Sequence, residues 1–592
     1  MNARTRSTFL RLILLFLSVV VSAQTKVWPP VCDSLKQRPY PQWFRDAKLG
    51  IFIHWGVYSV PAYGGRESYG EWFLRGLQTG DSLRTSFLRR VYGPDFTYRD
   101  LAPLFKAELF DPHEWAVLFR EAGAKYIVMV TKHHDGYCLW PSKYAPGWNS
   151  MDVGPHRDLV GELARAVREE GLVFGAYYSL PEWNNPLHRW YTDPDDSIGA
   201  YVEQHMIPQF KEMVSTYRPK VLFADGEWRN TAAQWHSAEL IAWYFNLIGD
   251  SAIVNNRWGY GCDIGFLTPE YSSGLKASTR PWAEVRGLGR SFGLNRNEPL
   301  EAYMTPAELI RFFVTAVANG GGIILNVGPR ADGQIPLLQQ ERLRQLGEWL
   351  KINGEAIYGA RMWQRTEETR PVELRRTDPA IDFNWVRNSP GEPIAEDHFT
   401  ARWEGYIKVP VTGKYLFDAK VDDRFILWID GRKVVEEGGG RKERIPVRLK
   451  AGRRYPVRAE YEEKRQNAFV HLYWTPPKAL REIVPDSAWY LASGGDAHGL
   501  QAVYRSERQT LVYTRNHGNL YAIALEWPGR SLVLHVPRPP QSTVVEMLGR
   551  EGPLPWSWSD GLLHIDLSDV GAGELPSCYA WTFRISGMGG QP

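Results

Sequence analysis

Cysteine is scarce in this chain of 592 residues, which has only Cys32, Cys138, Cys262 and Cys578. The four are widely spaced and form no CxxC pair, so the sequence predicts neither a disulfide scaffold nor a zinc site. An excess of charge of one sign is also absent, because the formal net charge is +3. A balance this close to neutral gives no indication of a nucleic-acid partner.

Long apolar runs are confined to the N-terminus. Arg4, Arg6 and Arg11 precede the apolar run 12–21, which is followed by Ser22-Ala23-Gln24. A basic region, a short apolar region and small residues at a cleavage site are typical of a secretory signal peptide, here residues 1–23. The run is too short to span a bilayer comfortably. We therefore expect an exported protein, periplasmic or secreted, with no membrane span in its mature part.

Aromatic residues are abundant, with 25 Trp, 29 Tyr and 24 Phe. Their flat faces suit the C–H faces of sugar rings, and they also fill hydrophobic cores. From about residue 43 to 363, short apolar runs alternate with amphipathic stretches, which predicts a parallel α/β barrel or a doubly wound sheet. The predicted strands are Gly50–His54, Tyr126–Val130, Leu172–Tyr178, Val221–Phe223, Ala252–Val254 and Gly322–Val327, and the predicted helices include Pro112–Ala122, Leu159–Glu169 and Leu337–Ile352.

Most of the predicted strands end in residues with chemically useful side chains. These are His54, His133-His134-Asp135, Tyr177, Asp225 and Arg257. The carboxyl ends of barrel strands share one rim, so we expect these side chains to form one site. Asp225 follows a buried apolar run and precedes Gly226, and we take it as the reactive centre. The alternative is that Asp225 caps the next helix or makes a loop turn.

The run His133-His134-Asp135 also has to be considered as a metal site. Adjacent residues of an extended segment point to opposite faces, so both imidazoles seldom reach one ion, and zinc motifs usually space their ligands. Hydrogen bonds from imidazole and Tyr hydroxyl groups to substrate hydroxyls fit the residues better. We expect no metal and no organic cofactor.

Two carboxylates that flank a sugar would suit glycoside hydrolysis. Three acids could accompany Asp225 as the second carboxylate. Glu227 lies two residues beyond Asp225, Glu270 lies in a loop-like segment, and Glu284 lies in an apolar stretch where it could equally be a buried structural ion. Spacing alone leaves all three open.

Beyond residue 370 the sequence becomes strand-rich. Residues 403–409, 413–417 and 425–429 alternate as half-buried strands, and Asp430-Gly431 is a hairpin-turn signal. A third region, about 485–592, has strand-like segments separated by Gly and Pro, which predicts a β-sandwich. We predict a catalytic domain at 24–365, a β module at 375–480 and a C-terminal sandwich at 485–592.

Several segments together resemble glycoside hydrolase family 29, the α-L-fucosidases. They are Gly50-Ile51-Phe52-Ile53-His54-Trp55-Gly56, Lys132-His133-His134-Asp135-Gly136, residues 154–161, residues 291–298, Leu325-Asn326-Val327-Gly328-Pro329 and residues 353–358. The resemblance covers roughly residues 28–365. It implies a (β/α)₈-like TIM barrel followed by a C-terminal β-sandwich, and retaining, exo-acting hydrolysis of α-L-fucosides on a fucosylated glycan.

The same resemblance assigns roles to single residues. It places the nucleophile at Asp225 and the acid/base at Glu270, with Glu284 as a competitor. It implies that Arg257 lies near the nucleophile and that Phe292 faces the fucose methyl group. Phe223 stands where family members often have Trp, which keeps an aromatic wall but loses an N–H donor. The implied contacts to fucose hydroxyls are His54, Glu71, Trp72, His133, His134 and Tyr177.

The region of about 380–478 resembles the protective-antigen-type β module of secreted glycosidases and adhesins, on residues such as Trp403-Glu404-Gly405-Tyr406 and Leu427-Trp428-Ile429-Asp430-Gly431. That resemblance implies carbohydrate binding or substrate shaping. In sugar-binding adhesins of this kind an Asp pair holds calcium, but for Asp422-Asp423 a polar hairpin turn is the favoured interpretation. Two other functions are weighed: a non-catalytic fucose-binding protein on an enzyme scaffold, and a glycosidase of a similar sugar such as galactose. Linkage preference and oligomeric state stay open.

Overall fold

The computed structural model describes residues 27–66, 68–272, 274–276, 278–386, 389–464 and 467–590. The predicted signal peptide, residues 1–23, lies outside the described residues. Within the described ranges, no helix is both long enough and apolar enough to cross a membrane.

The first part of the chain is a parallel sheet curled into a barrel. Its strands are β1 (Leu49–Ile53), β2 (Tyr126–Lys132), β3 (Val173–Ser179), β4 (Val221–Asp225), β5 (Ile253–Val254), β6 (Ala283–Gly287) and β7 (Gly322–Val327), in the order β5-β4-β3-β2-β1-β7-β6. Segment 266–270 makes single parallel bridges to Asn255 on one side and to Trp282 and Val285 on the other. It occupies the eighth position, between β5 and β6, so the predicted (β/α)₈-like TIM barrel is confirmed.

Strand β6 is the barrel strand that the sequence pattern did not predict. Its sequence, Ala283-Glu284-Val285-Arg286-Gly287, alternates apolar and charged residues, whereas the other barrel strands are almost continuously apolar. Glu284 is nonetheless fully buried. Buried parallel strands are usually identified by a continuous apolar run, and a charged residue interrupts that run.

Helices surround the barrel, and several begin at the residues expected from local chemistry. Asp111 accepts hydrogen bonds from the amides of His113 (2.8 Å) and Glu114, and Thr305 and Glu308 form a reciprocal cap. The helices are α1 (Cys32–Lys36), α2 (Gln42–Ala47), α3 (Phe73–Gln78), α4 (Ser82–Tyr92), α5 (Pro112–Glu121), α6 (Leu159–Glu169), α7 (Gly199–Tyr201), α8 (Ile207–Tyr217), α9 (Ser237–Ile248), α10 (Pro306–Ala318) and α11 (Leu337–Asn353). The three predicted helices are confirmed as α5, α6 and α11.

The barrel interior is filled by side chains from alternate strand positions. Phe52, Val128, Tyr177, Phe223 and Ile324 belong to one buried cluster inside the barrel. Their strand neighbours point outward into a second cluster that lies between the strands and the helices. Successive side chains of a strand point to opposite faces, so residues 223 and 225 share the inward face. The interior packing therefore directs Asp225 toward the open end.

A disulfide joins Cys32 of α1 to Cys262 in the loop after β5. The sequence predicted no disulfide scaffold, and for this pair that prediction is wrong. The two cysteines are 230 positions apart. Only the closure of the barrel brings α1 against this loop, so sequence spacing gives no signal of the bond. Cys138 is buried and Cys578 is exposed, and both are free.

Antiparallel sheets make up the rest of the chain. Their strands are β8 (Arg361–Asp378), β9 (Asp382–Val386), β10 (Thr400–Lys408), β11 (Gly413–Val421), β12 (Arg424–Ile429), β13 (Arg432–Gly438), β14 (Arg441–Arg444), β15 (Val447–Leu449), β16 (Arg454–Glu462), β17 (Ala468–Thr475), β18 (Glu482–Ile483), β19 (Trp489–Tyr490), β20 (Leu500–Asn516), β21 (Asn519–Ala524), β22 (Ser531–Leu534), β23 (Val545–Met547), β24 (Trp556–Ser559), β25 (Leu562–Asp566) and β26 (Trp581–Ile585). They form sheets of eleven, five and three strands.

Two long strands, β8 and β20, connect the β module to the C-terminal sandwich. β20 pairs with β8 along most of its length, with β10 through Gln501–Arg505 and with β21 through Leu511–Asn516. The eleven-stranded sheet therefore serves two separate cores, one against the five-stranded sheet and one against the three-stranded sheet. The domain limits stay predictions, and the limit at residue 365 falls within β8.

The hairpin signal at Asp430-Gly431 is confirmed. Ile429 of β12 pairs with Arg432 of β13, which leaves a two-residue connection. Asp430 has φ 52° and Gly431 has φ 75°. Positive φ at both central residues is the geometry of a type I′ turn, whose twist matches that of the flanking strands.

Cys32→Ser tests the disulfide. Removing the bond should lower the free energy of unfolding by about 2–5 kcal/mol, because the unfolded chain loses a long covalent loop. Urea unfolding followed by Trp fluorescence measures the difference, with Cys578→Ser as the matched control because that thiol is free and exposed. Equal unfolding midpoints for Cys32→Ser and wild type without reductant would contradict the bond.

Candidate active site

The rim at the carboxyl ends of the barrel strands gathers most of the predicted site residues. Asp225 is the last residue of β4, and Arg257 lies shortly after β5. Tyr177 donates a hydrogen bond from its hydroxyl to Asp225 Oδ2 (2.9 Å), and Arg257 Nη1 donates to Asp225 Oδ1 (3.0 Å). His134 Nε2 lies 3.5 Å from Asp225 Oδ2. Asp225 is thus surrounded by donors, and the helix-cap alternative finds no support.

These contacts control the ionisation of Asp225, which is only 8% exposed. Burial by itself raises the pKa of a carboxyl group. Here the hydrogen bond from His134 and the positive charge of Arg257 outweigh burial, so the pKa of Asp225 lies well below its ordinary value. The side chain is therefore an anion over the ordinary pH range, as a nucleophile requires.

Glu270 lies on the eighth barrel segment and shares Arg257 with Asp225. Arg257 Nη2 donates to Glu270 Oε2 (2.8 Å), and the hydroxyl of Tyr69 donates to Glu270 Oε1 (3.1 Å). Thr268 accepts a hydrogen bond from Arg257 Nε through its hydroxyl oxygen (3.1 Å), which fixes the plane of the guanidinium group. One cation thus contacts two carboxylates from two different barrel positions.

The other two acids have different surroundings. Glu284 is fully buried on β6, where it accepts hydrogen bonds from the amide (2.6 Å) and the hydroxyl (2.9 Å) of Ser272, and burial raises its pKa to about 7. Glu227 follows the turn at Gly226, whose φ is 85°. Burial and the negative charge of Asp225 raise the pKa of Glu227 to about 7.

His54 is held as a neutral imidazole of defined orientation. Asn326 donates a hydrogen bond from its amide Nδ2 to the carbonyl of Phe292 (2.6 Å), so its Oδ1 faces His54 Nδ1 (2.6 Å) and accepts a hydrogen bond from it. Burial lowers the pKa of His54 to about 4. Nδ1 carries the ring proton, so Nε2 is available as an acceptor for a ligand hydroxyl.

His133 and His134 lie together rather than on opposite faces, and that expectation is wrong. Their ring centroids are 4.3 Å apart. The chain leaves strand geometry after Lys132 and turns, so alternation does not apply. His134 Nδ1 bonds Ser179 Oγ (2.6 Å), whereas His133 Nδ1 is buried and has no partner among the described residues. Burial keeps the pKa of His133 well below its ordinary value.

Aromatic rings wall the site. Phe292 stacks on His54 with ring centroids 4.9 Å apart, and Phe223 lies 6.0 Å from Tyr177 and 5.5 Å beneath the Arg257 guanidinium carbon. Trp72 is half-buried and packs edge-on against Trp183 (5.2 Å). An apolar wall beside a ring of hydroxyl-binding groups suits a sugar that has both polar and apolar faces.

Glu71 is almost fully buried, at 1% exposure, and faces the loop that carries Phe292. Its Oε2 accepts a hydrogen bond from the amide of Gly293 (2.7 Å), and Ser291 Oγ lies 3.4 Å away. Burial raises the pKa of Glu71 to about 8.

The sequence prediction omitted several residues that the structure places here. Tyr69 contacts Glu270, Asn326 orients His54, and Trp183 and Trp228 lie 5.0 Å and 5.2 Å from His134. Tyr69 and Trp228 lie within two or three residues of predicted site residues, and this closeness in sequence could have indicated that they belong to the site. Asn326 sits inside an otherwise apolar strand, where a buried polar residue needs partners.

Comparison with known proteins identifies the family of the chain. Residues 15–355 match the family model described as alpha-L-fucosidase, residues 355–488 match the PA14 domain, and residues 506–586 match the alpha-L-fucosidase C-terminal domain. The first match covers more than half of the chain. The chain belongs to the α-L-fucosidase family. The protective-antigen-type module between the barrel and the C-terminal sandwich is confirmed as well.

Individual relatives support the assignment. The chain is 38% identical over 407 residues to the tissue alpha-L-fucosidase of Homo sapiens, covering 66% of this chain and 86% of that protein. It is 38% identical over 367 residues to the alpha-L-fucosidase of Branchiostoma floridae, covering 60% of this chain and 81% of that protein. The structure of the Thermotoga maritima alpha-fucosidase in complex with fucose aligns with a TM-score of 0.61 at 28% identity, over 94% of this chain and 100% of that chain. This α-L-fucosidase family member is therefore a glycoside hydrolase.

Glu71→Gln tests the protonation of the buried glutamate. The pKa is raised from 4.5 to about 8, so between these pH values the folded state keeps a proton that the unfolded chain releases. Stability therefore falls as pH rises through this window, by about 1.4 kcal/mol per pH unit. We expect the variant to gain about 3 kcal/mol relative to wild type between pH 5 and pH 7.5, measured by urea unfolding. Identical pH slopes for the two proteins would refute the raised pKa.

Proposed function

We propose that the chain is a retaining, exo-acting α-L-fucosidase that removes terminal α-L-fucose from glycans by double displacement, with Asp225 as nucleophile and Glu270 as acid/base. The observation that carries the proposal is the pair of carboxylates held by Arg257 at the barrel rim, 3.0 Å and 2.8 Å from its two terminal nitrogens. Two carboxyl groups that flank a sugar in close proximity are what the retaining route requires.

In the first step, Asp225 attacks the anomeric carbon while the bond to the leaving oxygen breaks and Glu270 transfers its proton to that oxygen. The product is a covalent fucosyl-Asp225 ester. In the second step, Glu270 takes a proton from water, the water oxygen attacks the anomeric carbon, and Asp225 leaves as carboxylate. Glu270 pairs with Arg257 as a carboxylate in the free site, so it takes up the proton that it transfers when the leaving oxygen replaces Arg257 as its partner.

The choice of Glu270 over the other acids rests on position. Glu270 is part-exposed beside Asp225, with its side chain 29% accessible. Glu284 is fully buried and is held by Ser272 through two hydrogen bonds, so it has no access to a leaving oxygen. Glu227 lies beyond the turn at Gly226, and its Oε2 is enclosed. We assign Glu284 to the stability of β6.

The remaining residues bind and orient fucose. The fixed tautomer of His54 offers an acceptor at Nε2, and Tyr177 and His134 lie close to the nucleophile. His133, Glu71 and Trp72 complete the hydroxyl contacts, and Phe292 and Phe223 form the apolar walls. Contacts of this kind accelerate the reaction where they strengthen as the sugar ring flattens. No step needs a metal or an organic cofactor.

We also propose that the protein is exported, on the basis of the N-terminal pattern at residues 1–23. The Cys32–Cys262 bond supports this, because disulfides persist in oxidising compartments outside the cytosol. We further propose the domain limits 24–365, 375–480 and 485–592.

Azide rescue of alanine variants tests the two catalytic roles. Asp225→Ala should lose about 10³-fold or more in kcat on 4-nitrophenyl α-L-fucoside, and azide should restore part of the rate with inverted β-fucosyl azide as product. Glu270→Ala should be rescued with retained stereochemistry. Glu284→Ala is the matched control and should keep its kcat.

The outcomes separate the alternatives. If Glu284→Ala, and not Glu270→Ala, is rescued by azide with retained stereochemistry, then Glu284 is the acid/base. The double-displacement mechanism would still hold. Binding of fucose by the wild type with no turnover would favour a non-catalytic fucose-binding protein. Faster hydrolysis of 4-nitrophenyl β-D-galactoside than of the fucoside would favour a different glycosidase.

Arg257→Met tests the electrostatic control of the nucleophile. Without the guanidinium charge the pKa of Asp225 should rise, so the acid limb of the kcat/KM profile should move upward by about 1 pH unit or more. Arg280→Met is the control, because Arg280 pairs with Asp263 outside the site. An acid limb at the wild-type position in Arg257→Met would show that another group sets it.

A further inference from the structure

A cavity of about 500 Å³ adjoins the active site and is walled by two parts of the chain. On the barrel side it is lined by Tyr69, Trp72 and Tyr271, and on the opposite side by Glu396 and Asn467 of the β module. Its volume lies within the range of about 300–1,000 Å³ that is usual for ligand-binding cavities. The β module therefore contributes polar side chains to a space that is bounded by Tyr69, Trp72 and Tyr271 next to the site.

The cavity lies on the side of the site where the leaving group must be. Tyr69 donates its hydroxyl to Glu270, and Tyr271 follows Glu270 in the chain. In the proposed function, Glu270 transfers a proton to the leaving oxygen. The group attached to that oxygen extends past Glu270, and the space beyond Glu270 is this cavity.

The wall from the β module is held in place. Ala395, next to Glu396, donates its amide to Ser506 Oγ on β20 (2.9 Å), and Ile394 and Phe399 on either side are buried. Asn467 directly precedes Ala468, the fully buried first residue of β17. Glu396 and Asn467 are thus each next to residues that are held by a hydrogen bond or by burial.

The strands from which the β module extends are tied to the barrel. Thr315 of α10 donates its hydroxyl to Gln509 Oε1 on β20 (2.8 Å), and Gln509 Nε2 donates to Glu367 Oε2 on β8 (2.6 Å). Lys276 of the barrel pairs with the same Glu367 (2.7 Å). These bonds hold β8 and β20, which continue into the β module, against the barrel.

The lining suits uncharged sugar residues. Four arginines and four carboxylates line the cavity, so their formal charges cancel. Arg286 places its guanidinium over Tyr271 (5.4 Å), and its buried Nε has no partner among the described residues. Trp72 and Tyr303 add aromatic faces. Balanced charges, polar side chains and aromatic rings together can bind the hydroxyl groups and the C–H faces of sugar rings.

We propose that Glu396 and Asn467 of the β module complete a leaving-group subsite that binds the neutral sugar residues next to the terminal fucose. Through this subsite the β module would take part in substrate selection. The proposal rests on the proposed fucosidase function. A nitrophenyl fucoside has one small ring in this position, whereas a fucosylated oligosaccharide extends across to the β module.

The test compares two substrate types in Glu396→Ala, Asn467→Ala and the double variant. The substrates are 4-nitrophenyl α-L-fucoside and neutral trisaccharides that carry fucose in α1,2, α1,3 or α1,6 linkage. We expect the ratio of kcat/KM for the best trisaccharide to kcat/KM for the nitrophenyl fucoside to fall about 10-fold or more in the double variant, as for the loss of one or two hydrogen bonds. Glu404→Ala is the control, because Glu404 is exposed on the same module outside the cavity, and its ratio should stay at the wild-type value.

The possible results are distinct. A double variant that keeps the wild-type ratio overturns the subsite, and so does a wild type that hydrolyses the nitrophenyl fucoside but none of the trisaccharides. A wild type that hydrolyses no fucoside refutes the proposed function itself. Inhibition of wild type by the defucosylated disaccharide, weakened in the double variant, would support the subsite independently of the fucosyl half of the substrate.

Discussion

The active site depends on one partly buried guanidinium group. Arg257 contacts Asp225 with one terminal nitrogen and Glu270 with the other, while its Nε is held by Thr268. Two carboxylates this close would repel each other without a cation between them, and burial strengthens that repulsion. The planar, permanently charged guanidinium can satisfy both at fixed geometry, which an ammonium group cannot. The spacing of Asp225 and Glu270, the proposed catalytic pair, therefore follows from the position of Arg257.

The closed barrel makes this arrangement available. Asp225, Arg257 and Glu270 come from three neighbouring barrel positions, namely β4, the end of β5 and the eighth segment. Parallel strands carry their carboxyl ends to one rim, so residues dozens of positions apart become neighbours. Around them, burial keeps His54 and His133 neutral, and the Asn326 amide decides which ring nitrogen of His54 holds the proton. The site thus combines one strong ionic contact with neutral hydrogen-bonding groups.

The β module is joined to the barrel by strands that belong to two sandwiches at once. β8 and β20 pair along most of their length and carry the module on one half and the C-terminal sandwich on the other. A module inserted through two paired strands has less freedom than one attached by a single flexible linker. This explains how two of its loops are held at the edge of the cavity beside the active site.

The sequence pattern was compatible with either a barrel or a doubly wound sheet, but by itself it determined the α/β alternation, most strand positions and the residues at the strand ends. These features are local, because a buried strand, a helix cap or a type I′ turn is encoded within a few residues. Strand β6 was missed for the same reason, since Glu284 breaks the local apolar pattern although the fold buries it.

Only the tertiary structure decided how distant residues meet. It separated Glu270 from Glu284 by their surroundings, paired Cys32 with Cys262 and brought His133 beside His134. It also placed Glu396 and Asn467 across a cavity from the barrel rim. Each of these contacts joins segments that barrel closure and sheet pairing bring together. The distance between such segments cannot be predicted from a local pattern of residue types.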